Sequence, residues 1–428
     1  MALKYFCIGY SRKHASSSKR PYQTTLIEES FHHFSLADLK KATNNFHENN
    51  LIGRGGFGKV YKGCLQLDHV ATAVVAVKVK SIHIYYKPKE FKNEIELLCQ
   101  LRHPNLISLI GFCVHKDKEI IVYEYMSNGS LADRLFESDA REPLSWKKRL
   151  EICIGVARGL HYLHSGLKRT IIHRDIKPAN ILLDDNMVPK LSDLGISVQG
   201  ALFTEKPKPI QVKEVFHSTQ SGTYNYMAPE YIRKGTVTDQ YDVYSFGIVL
   251  IDVVSRKPVD AIRNEMFGFQ QPTNEKREMS NNGSESSSDD HITMIEVPAP
   301  EPPNEEVEMS NNGSESSSDD HITMIEMPVP EPPNEEVEMS NNDSEFSDDH
   351  ITMSWGSKIN MLRLRAEYID PALVGNIAPQ CYAAYIDIID RCLKDEPNER
   401  PNMGEVELLL EHALTLQLEA DATDTSDH

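Results

Sequence analysis

The chain has 428 residues, enough for a two-lobed core with tails, since domains usually run roughly 100–250 residues. Its formal charge is −19, but Met279 to Met353 alone carries 20 Asp and Glu with no Lys or Arg; taking these from the 64 acidic residues leaves 44 against 45 basic ones. A near-neutral body with one acidic segment argues against nucleic-acid binding, and seven scattered cysteines (7, 64, 99, 113, 153, 381, 392) without a CxxC pair indicate a reducing interior with neither a disulfide framework nor a zinc site.

Residues 1–30 are polar, Ser-rich and unpatterned, and are expected to form a disordered basic tail. No stretch approaches the roughly 20 apolar residues that span a bilayer, and Met1 to Tyr10 is too short and interrupted for a signal peptide. Lys4, Arg12, Lys13, Lys19 and Arg20 around Cys7 leave two readings open: a solvated tail, or contact with an anionic membrane face through an acylated Cys7. Ser35 and Asp38 then stand at capping-box spacing, which predicts a short helix to Asn45 within 31–47. Glycines and β-branched runs predict a small β-rich lobe over 48–126 with one helix at about Pro88–Leu101. From 127 to 262 the pattern is helical, clearest at Trp146–His164 and Asp242–Ser255, and helices resume over 354–415 before a C-terminal tail at 416–428. The fold class is therefore α+β: a β-rich and a helical lobe with a cleft between them.

Residues 263–353 interrupt the helical lobe. Glu278-Met279-Ser280 recurs at Glu308-Met309-Ser310 and Glu338-Met339-Ser340, a period of 30. Ser, Asn, Asp, Glu and Pro dominate, so no apolar face exists on which copies could stack, and a disordered insert is expected. Loop-closure entropy grows only logarithmically with length, so such an insert need not disrupt the helices on either side.

The chemistry-bearing runs come in a fixed order. Gly53-Arg54-Gly55-Gly56-Phe57-Gly58-Lys59-Val60 fits GxGxxGxV, whose glycines let backbone N–H groups approach phosphates. A Rossmann loop is the competitor, but Lys78 of Val74-Val75-Ala76-Val77-Lys78 follows on a strand, which a Rossmann unit does not predict. On that strand Lys78 shares a face with Ala76, small enough to leave room for a flat base. Phe91, Glu94, Ile95 and Leu98 line one helical face, and a carboxylate in an apolar stripe needs a partner. Downstream, His173-Arg174-Asp175-Ile176-Lys177-Pro178-Ala179-Asn180 and Asp193-Leu194-Gly195 supply a proton acceptor, a phosphate-binding Lys and two oxygen ligands for Mg²⁺.

This order and spacing resembles a protein kinase. The resemblance implies that Lys78 holds the α- and β-phosphates of ATP and pairs with Glu94, that Asp175 accepts or orients the substrate hydroxyl proton, that Lys177 neutralises γ-phosphate charge, and that Asn180 and Asp193 hold Mg²⁺. The nucleotide-binding residues it implies are Ile52, Gly53, Gly55, Gly58, Val60, Ala76 and Lys78, with the backbones of Glu124 and Met126 at a hinge and Tyr123 behind the pocket. Leu194 stands where the family usually has Phe, in the same hydrophobic socket. An activation segment would run from Gly195 to Ala228-Pro229-Glu230, with Ser218, Thr219, Ser221 and Thr223 as phosphoacceptor candidates that Arg174 could pair with. Thr223 has a second role open to it beside Asp175 and Lys177. Glu230 with Arg400 and Asp242 below the catalytic loop are expected to be structural.

Tyr123, Asn128-Gly129-Ser130-Leu131, Phe34-Ser35, Ala42-Thr43-Asn44-Asn45-Phe46, Gly159-Leu160-His161-Tyr162-Leu163-His164 and Asp395 through Met403 are similar to the plant receptor-like and Pelle-type kinases. These phosphorylate Ser and Thr with ATP and Mg²⁺, so protein substrates, a membrane receptor kinase as partner, and a cytoplasmic place, peripheral at the plasma membrane if Cys7 is acylated, are what the resemblance implies. Two alternatives stay open: a catalytically idle kinase-fold scaffold instead of an enzyme, and an inert repeat expansion instead of a multivalent docking array of runs such as Ser286-Ser287-Ser288-Asp289-Asp290.

Overall fold

A computed structural model describes residues 31–55, 58–67, 71–81, 88–116, 118–137, 142–202, 209–212, 223–259, 261–262 and 368–426. The expectations for the basic tail and Cys7, for the acidic repeats, and for Ser218, Thr219 and Ser221 lie outside these residues.

The first lobe is a six-stranded sheet with a helix on each face. Its strands are β1 (His32–His33), β2 (Leu51–Gly55), β3 (Gly58–Leu67), β4 (Ala71–Ser81), β5 (Leu109–His115) and β6 (Lys118–Glu124), in the order β1-β5-β6-β4-β3-β2. All neighbours are antiparallel except β1, which pairs parallel to β5. Strand alternation sorts β4 onto two cores. Val75, Val77 and Val79 join Leu39, Tyr61, Ile120 and Val122 on the side of helix α1 (Leu36–Ala42), while Ala76 packs with Ile121 and Tyr123 on the side of α2 (Pro88–Leu98), where Phe91 and Ile95 face it. Lys78 therefore emerges on the α2 face.

The N-terminal segment is a clip on this sheet. Ser35 caps α1 by accepting from the Asp38 N–H at 3.1 Å. The helix stops at Ala42, short of the Asn45 expected from the sequence, because Asn44, Asn45 and Phe46 take left-handed φ of 49°, 57° and 54°. Thr43 holds that turn: its hydroxyl donates to Leu39 O at 2.7 Å and accepts from the Phe46 N–H at 3.0 Å. Gly111 lets β1 dock, since a Cβ there would stand 2.0 Å from His32 O.

The second lobe holds α3 (Leu131–Leu135), α4 (Trp146–Ser165), β7 (Arg169–Ile172), β8 (Ile181–Leu183), β9 (Pro189–Leu191), β10 (Val198–Leu202), β11 (Ile210–Gln211), α5 (Pro229–Lys234), β12 (Thr236–Val237), α6 (Asp239–Ser255), α7 (Pro379–Cys392) and α8 (Met403–Ser426). Serines cap α3 and α4 as their sequences suggest, Ser130 within a capping box with Asp133 and Ser145 through the Lys148 N–H. Helix α6 is buried at every residue from Tyr241 to Ser255, as an all-round apolar helix must be. Beyond the insert the chain returns beside the end of α6, where the Asp370 N–H donates to Val254 O at 3.0 Å. One expectation is corrected here: the C-terminal tail from 416 is helical, α8 continuing to Ser426. Gln417 anchors it, buried and accepting from the Ala378 N–H at 2.9 Å.

Candidate active site

Strand β4, helix α2 and the loop after β9 converge on one ammonium group. Lys78 Nζ lies 2.9 Å from Glu94 Oε2 and 2.8 Å from Asp193 Oδ1. Burial alone would lower the pKa of Lys78, but the carboxylates of Asp193 and Glu94 more than offset it and hold the ammonium above the ordinary amine range. For Asp193 burial pushes the pKa up and Lys78 pulls it down further, leaving the carboxyl below its usual range. The hydroxyl of Tyr123 donates to Glu94 Oε1 at 2.6 Å, and burial followed by the Glu94 charge keeps that phenol protonated far above its usual pKa. Tyr123 was placed behind the pocket by its sequence position; that it orients Glu94 was not legible there.

Asp175 sits in a network of donors. Lys177 Nζ reaches Asp175 Oδ2 at 2.7 Å and the Thr223 hydroxyl at 2.8 Å, while the Thr223 hydroxyl donates to Asp175 Oδ1 at 3.0 Å. Asn180 spends its amide on Asp175, at 2.8 Å to the main-chain O and 2.9 Å to Oδ2, which aims its own carbonyl oxygen elsewhere. The loop is braced from below by Asp242 on α6, fully buried, which accepts from the His173 N–H at 2.7 Å and the Arg174 N–H at 2.9 Å and lies 2.9 Å from His164 Nε2. Arg174 in this loop and Asp193 on the turn after β9 hold left-handed φ of 72° and 67°.

Arg174 is buried, its guanidinium donating to Ile196 O at 2.8 Å and to the Tyr231 hydroxyl at 3.2 Å. A phosphate on the activation segment would compete with these partners. Arg400 binds Glu230 through two 2.8 Å hydrogen bonds and stacks 4.9 Å from the Tyr244 ring centroid. Leu194 is fully buried in the main core.

Several of the residues expected to hold the nucleotide neighbour one another in the sheet. Gly55 pairs with Gly58 and Gly53 with Val60 across the β2–β3 hairpin, and Val60 stands opposite Lys78 on β4. Gly58 has φ +120°, and a Cβ there would meet Val79 O at 2.3 Å, so only glycine fits. Ile52 is 47% exposed at the open edge, while Ala76 pairs with Tyr123 and leads to the hinge. At the hinge the Glu124 carboxylate accepts from the Ser108 N–H at 2.7 Å and meets Lys190 at 3.2 Å, and Met126 is buried.

Among the described residues no cluster of three His, Cys, Asp or Glu forms a closed metal cage. Asn180 and Asp193 suit instead an ion that takes one or two protein oxygens and completes its shell with phosphates and water, as Mg²⁺ does. Two carboxylates share the one Lys78 charge, and the negative excess at Asp193 favours a cation there. Two contacts were not anticipated: Lys80 Nζ to Glu90 Oε2 at 2.9 Å, parallel to the Lys78–Glu94 pair, and the amide of Asn93, which faces three carbonyls. Glu90 and Glu94 at i and i+4 opposite Lys78 and Lys80 at i and i+2 were the available signal for the first; Asn93 carried none.

Residues 46–414 match the protein kinase domain. The chain is similar to three proteins of Arabidopsis thaliana: receptor-like protein kinase FERONIA, 32% identical over 96% of this chain and 36% of the relative; ANXUR2, 34% identical over 91% and 34%; and THESEUS 1, 47% identical over 53% and 25%. The chain thus spans 25–36% of the length of these relatives.

Proposed function

We propose, from the premise that the chain belongs to the protein kinase family, that it transfers the γ-phosphate of ATP to Ser and Thr hydroxyls of proteins. The observation that carries this reading is the pair of tied clusters, Lys78–Glu94–Asp193 and Asp175–Lys177–Thr223–Asn180. In the first, Lys78 is the group for the α- and β-phosphates, oriented by Glu94. In the second, Asp175 receives or orients the acceptor hydroxyl proton, and Lys177 is placed to balance charge on the moving phosphoryl group. Thr223, already donating to Asp175, marks where an aliphatic hydroxyl fits, which supports Ser and Thr as acceptors. Asn180 and Asp193 would hold Mg²⁺, which when bound neutralises phosphate charge.

The relatives' names support a setting in plant receptor signalling, with protein substrates and a receptor kinase as upstream partner. No helix among the described residues is long and apolar enough to cross a membrane, and attachment through Cys7 belongs to the same proposal. The acidic repeats supply Ser next to acids in several copies, which suits multivalent docking; unchanged partner capture after deletion of 279–353 would dispose of that part.

Purified chain incubated with ATP and Mg²⁺, followed by phosphosite mapping beside Lys78→Met and Asp175→Asn, tests the whole reading. Phosphoserine and phosphothreonine should form in the wild type and fall by at least a hundredfold in both variants. A wild type that incorporates no phosphate would leave the idle scaffold as the better account.

A further inference from the structure

The turn that follows Asp193 spends every main-chain carbonyl on a side chain. The Ser197 N–H closes it by donating to Leu194 O at 3.1 Å. Ile196 O accepts from Arg174, below. The other three carbonyls converge on the amide nitrogen of Asn93, at 3.2 Å to Leu194 O, 2.9 Å to Gly195 O and 2.9 Å to Ser197 O. An amide nitrogen carries two hydrogens, so three oxygens within 3.2 Å of it form a socket shaped for a donor. Asn93 is one residue before Glu94 on α2, and Glu90, one turn earlier on the same helix, lies close enough to Gly195 that a Cβ added there would stand 3.5 Å from its Cβ. The helix that orients Lys78 and the turn that carries Asp193 are thereby joined by a contact that does not pass through Lys78.

We propose that Asn93 is a positioning residue for phosphoryl transfer, locking α2 to the Asp193 turn so that Glu94 and Asp193 move as one unit around Lys78. Neither residue then reaches its working place without the other. Without the amide, Gly195 O and Ser197 O lose this donor and Leu194 O keeps the Ser197 N–H alone; the crowded oxygens repel one another, and the turn relaxes away from the left-handed φ of 67° that Asp193 holds. Arg174 at Ile196 O, and the Ser197 hydroxyl donating to His173 O at 3.0 Å, still restrain the lower side of the turn. The consequence is a misplaced metal ligand and a loosened α2 in a domain that remains folded. This inference rests on the kinase reading above for its kinetic part, and on the geometry alone for its structural part.

The test compares wild type, Asn93→Ala and Asn93→Asp as full-length chain. Phosphate incorporation from ATP with Mg²⁺ is measured into the chain itself and into myelin basic protein, and backbone hydrogen exchange is followed at 88–98, 194–197 and 239–255. Asn93→Ala should lower kcat about tenfold while the KM for ATP changes less than threefold; Asn93→Asp, which restores volume but sets a carboxylate against three carbonyls, should lose more. A packing role predicts the reverse order. Exchange should quicken at 88–98 and 194–197 in both variants and stay constant in α6. Ala is the best helix former, so its result stands even where the Asp variant does not fold. Asn93→Ala within twofold of wild type in kcat, Asp more active than Ala, or unchanged exchange at 194–197 would each overturn the proposal. A wild type that incorporates no phosphate would count against the kinase reading, and the exchange data would still decide the role of Asn93.

Discussion

Asp370→Ala should be among the costliest single changes outside the crevice. The guanidinium of Arg149 is 1% exposed and binds Leu144 O at 3.0 Å, Val253 O at 2.6 Å and the fully buried carboxylate of Asp370. Burial lowers the Arg149 pKa and the Asp370 carboxylate works against that lowering. Deleting that partner leaves an unpaired buried cation, which costs about 3–5 kcal/mol. For a domain of this size 1 kcal/mol moves the melting temperature by about 2–4 °C, giving a fall of roughly 6–20 °C. Urea unfolding followed by far-ultraviolet circular dichroism measures the free energy directly, with the slope m showing whether the exposed surface stays constant. Replacing both partners, Arg149→Met with Asp370→Leu, removes the charge but orphans the Leu144 and Val253 carbonyls, so the pair should recover part of the loss and no more. A cost below about 1 kcal/mol for Asp370→Ala at unchanged m would refute the claim that this pair sews the chain beyond the insert onto α4 and α6.

Three further outcomes follow from the same geometry. Tyr123→Phe deletes the 2.6 Å bond to Glu94 and leaves Lys78–Glu94 in place, so kcat should fall by about tenfold, the worth of one charge-assisted hydrogen bond, with unfolding changed by no more than about 3 kcal/mol; an unchanged kcat counts against an orienting role. Because the folded Asp193 pKa is lowered, its stabilisation is present above the ordinary carboxylate pKa and disappears as pH falls through the lowered value. The stabilisation from Lys78, whose pKa is raised, is lost only as pH rises past the ordinary amine value. The stability gap between wild type and Asp193→Asn should thus be flat from about pH 5 to 9 and close under acid, as read from urea titrations at several pH values. Burial pushes the Cys153 and Cys392 thiols up to about 12, so at pH 8 both should resist iodoacetamide until the chain unfolds, whereas exposed Cys64 should react in the native state, as peptide mapping would show.

Charged and polar residues set at fixed spacing were legible in the sequence. Lys78, Glu94, Asp175, Asn180 and Asp193 belong to that group, as did Thr223 beside Asp175 and Asp242 below the catalytic loop, and each lies in the contacts described above. What escaped depends on main-chain geometry or on distant partners. The helix at Leu36 stops early because three consecutive left-handed residues follow it, and Asn44 and Asn45 tolerate that conformation, but no propensity forces Phe46 into it. The two-residue β1 is too short to show alternation. Arg149 meets Asp370 across 221 residues, and nothing local to either marks the other. Tail-like composition hid the last turns of α8, where Gln417 binds the distant main chain at Ala378 and Asn376.

The two lobes bear different burdens in this arrangement. Helix α6 carries Asp242 and Asp252, both fully buried and ten residues apart, about 15 Å along the axis. Asp242 holds the His173 and Arg174 N–H groups; Asp252 accepts from the Tyr226 hydroxyl at 2.7 Å and the Val259 N–H at 2.8 Å. Thr223, three residues before Tyr226, is thereby fixed relative to Asp175 by a rigid ruler that water does not reach. Burying two carboxylates is tolerable only because each has several donors, so the same bonds that fix catalytic geometry also maintain the fold. The other side of the crevice hangs on α2, whose polar links to the Asp193 turn include the Lys78 ion pair and the Asn93 amide. Substitutions at Asp242 or Asp252 should therefore lower stability and kcat together, whereas those at Asn93 should lower kcat with less effect on stability.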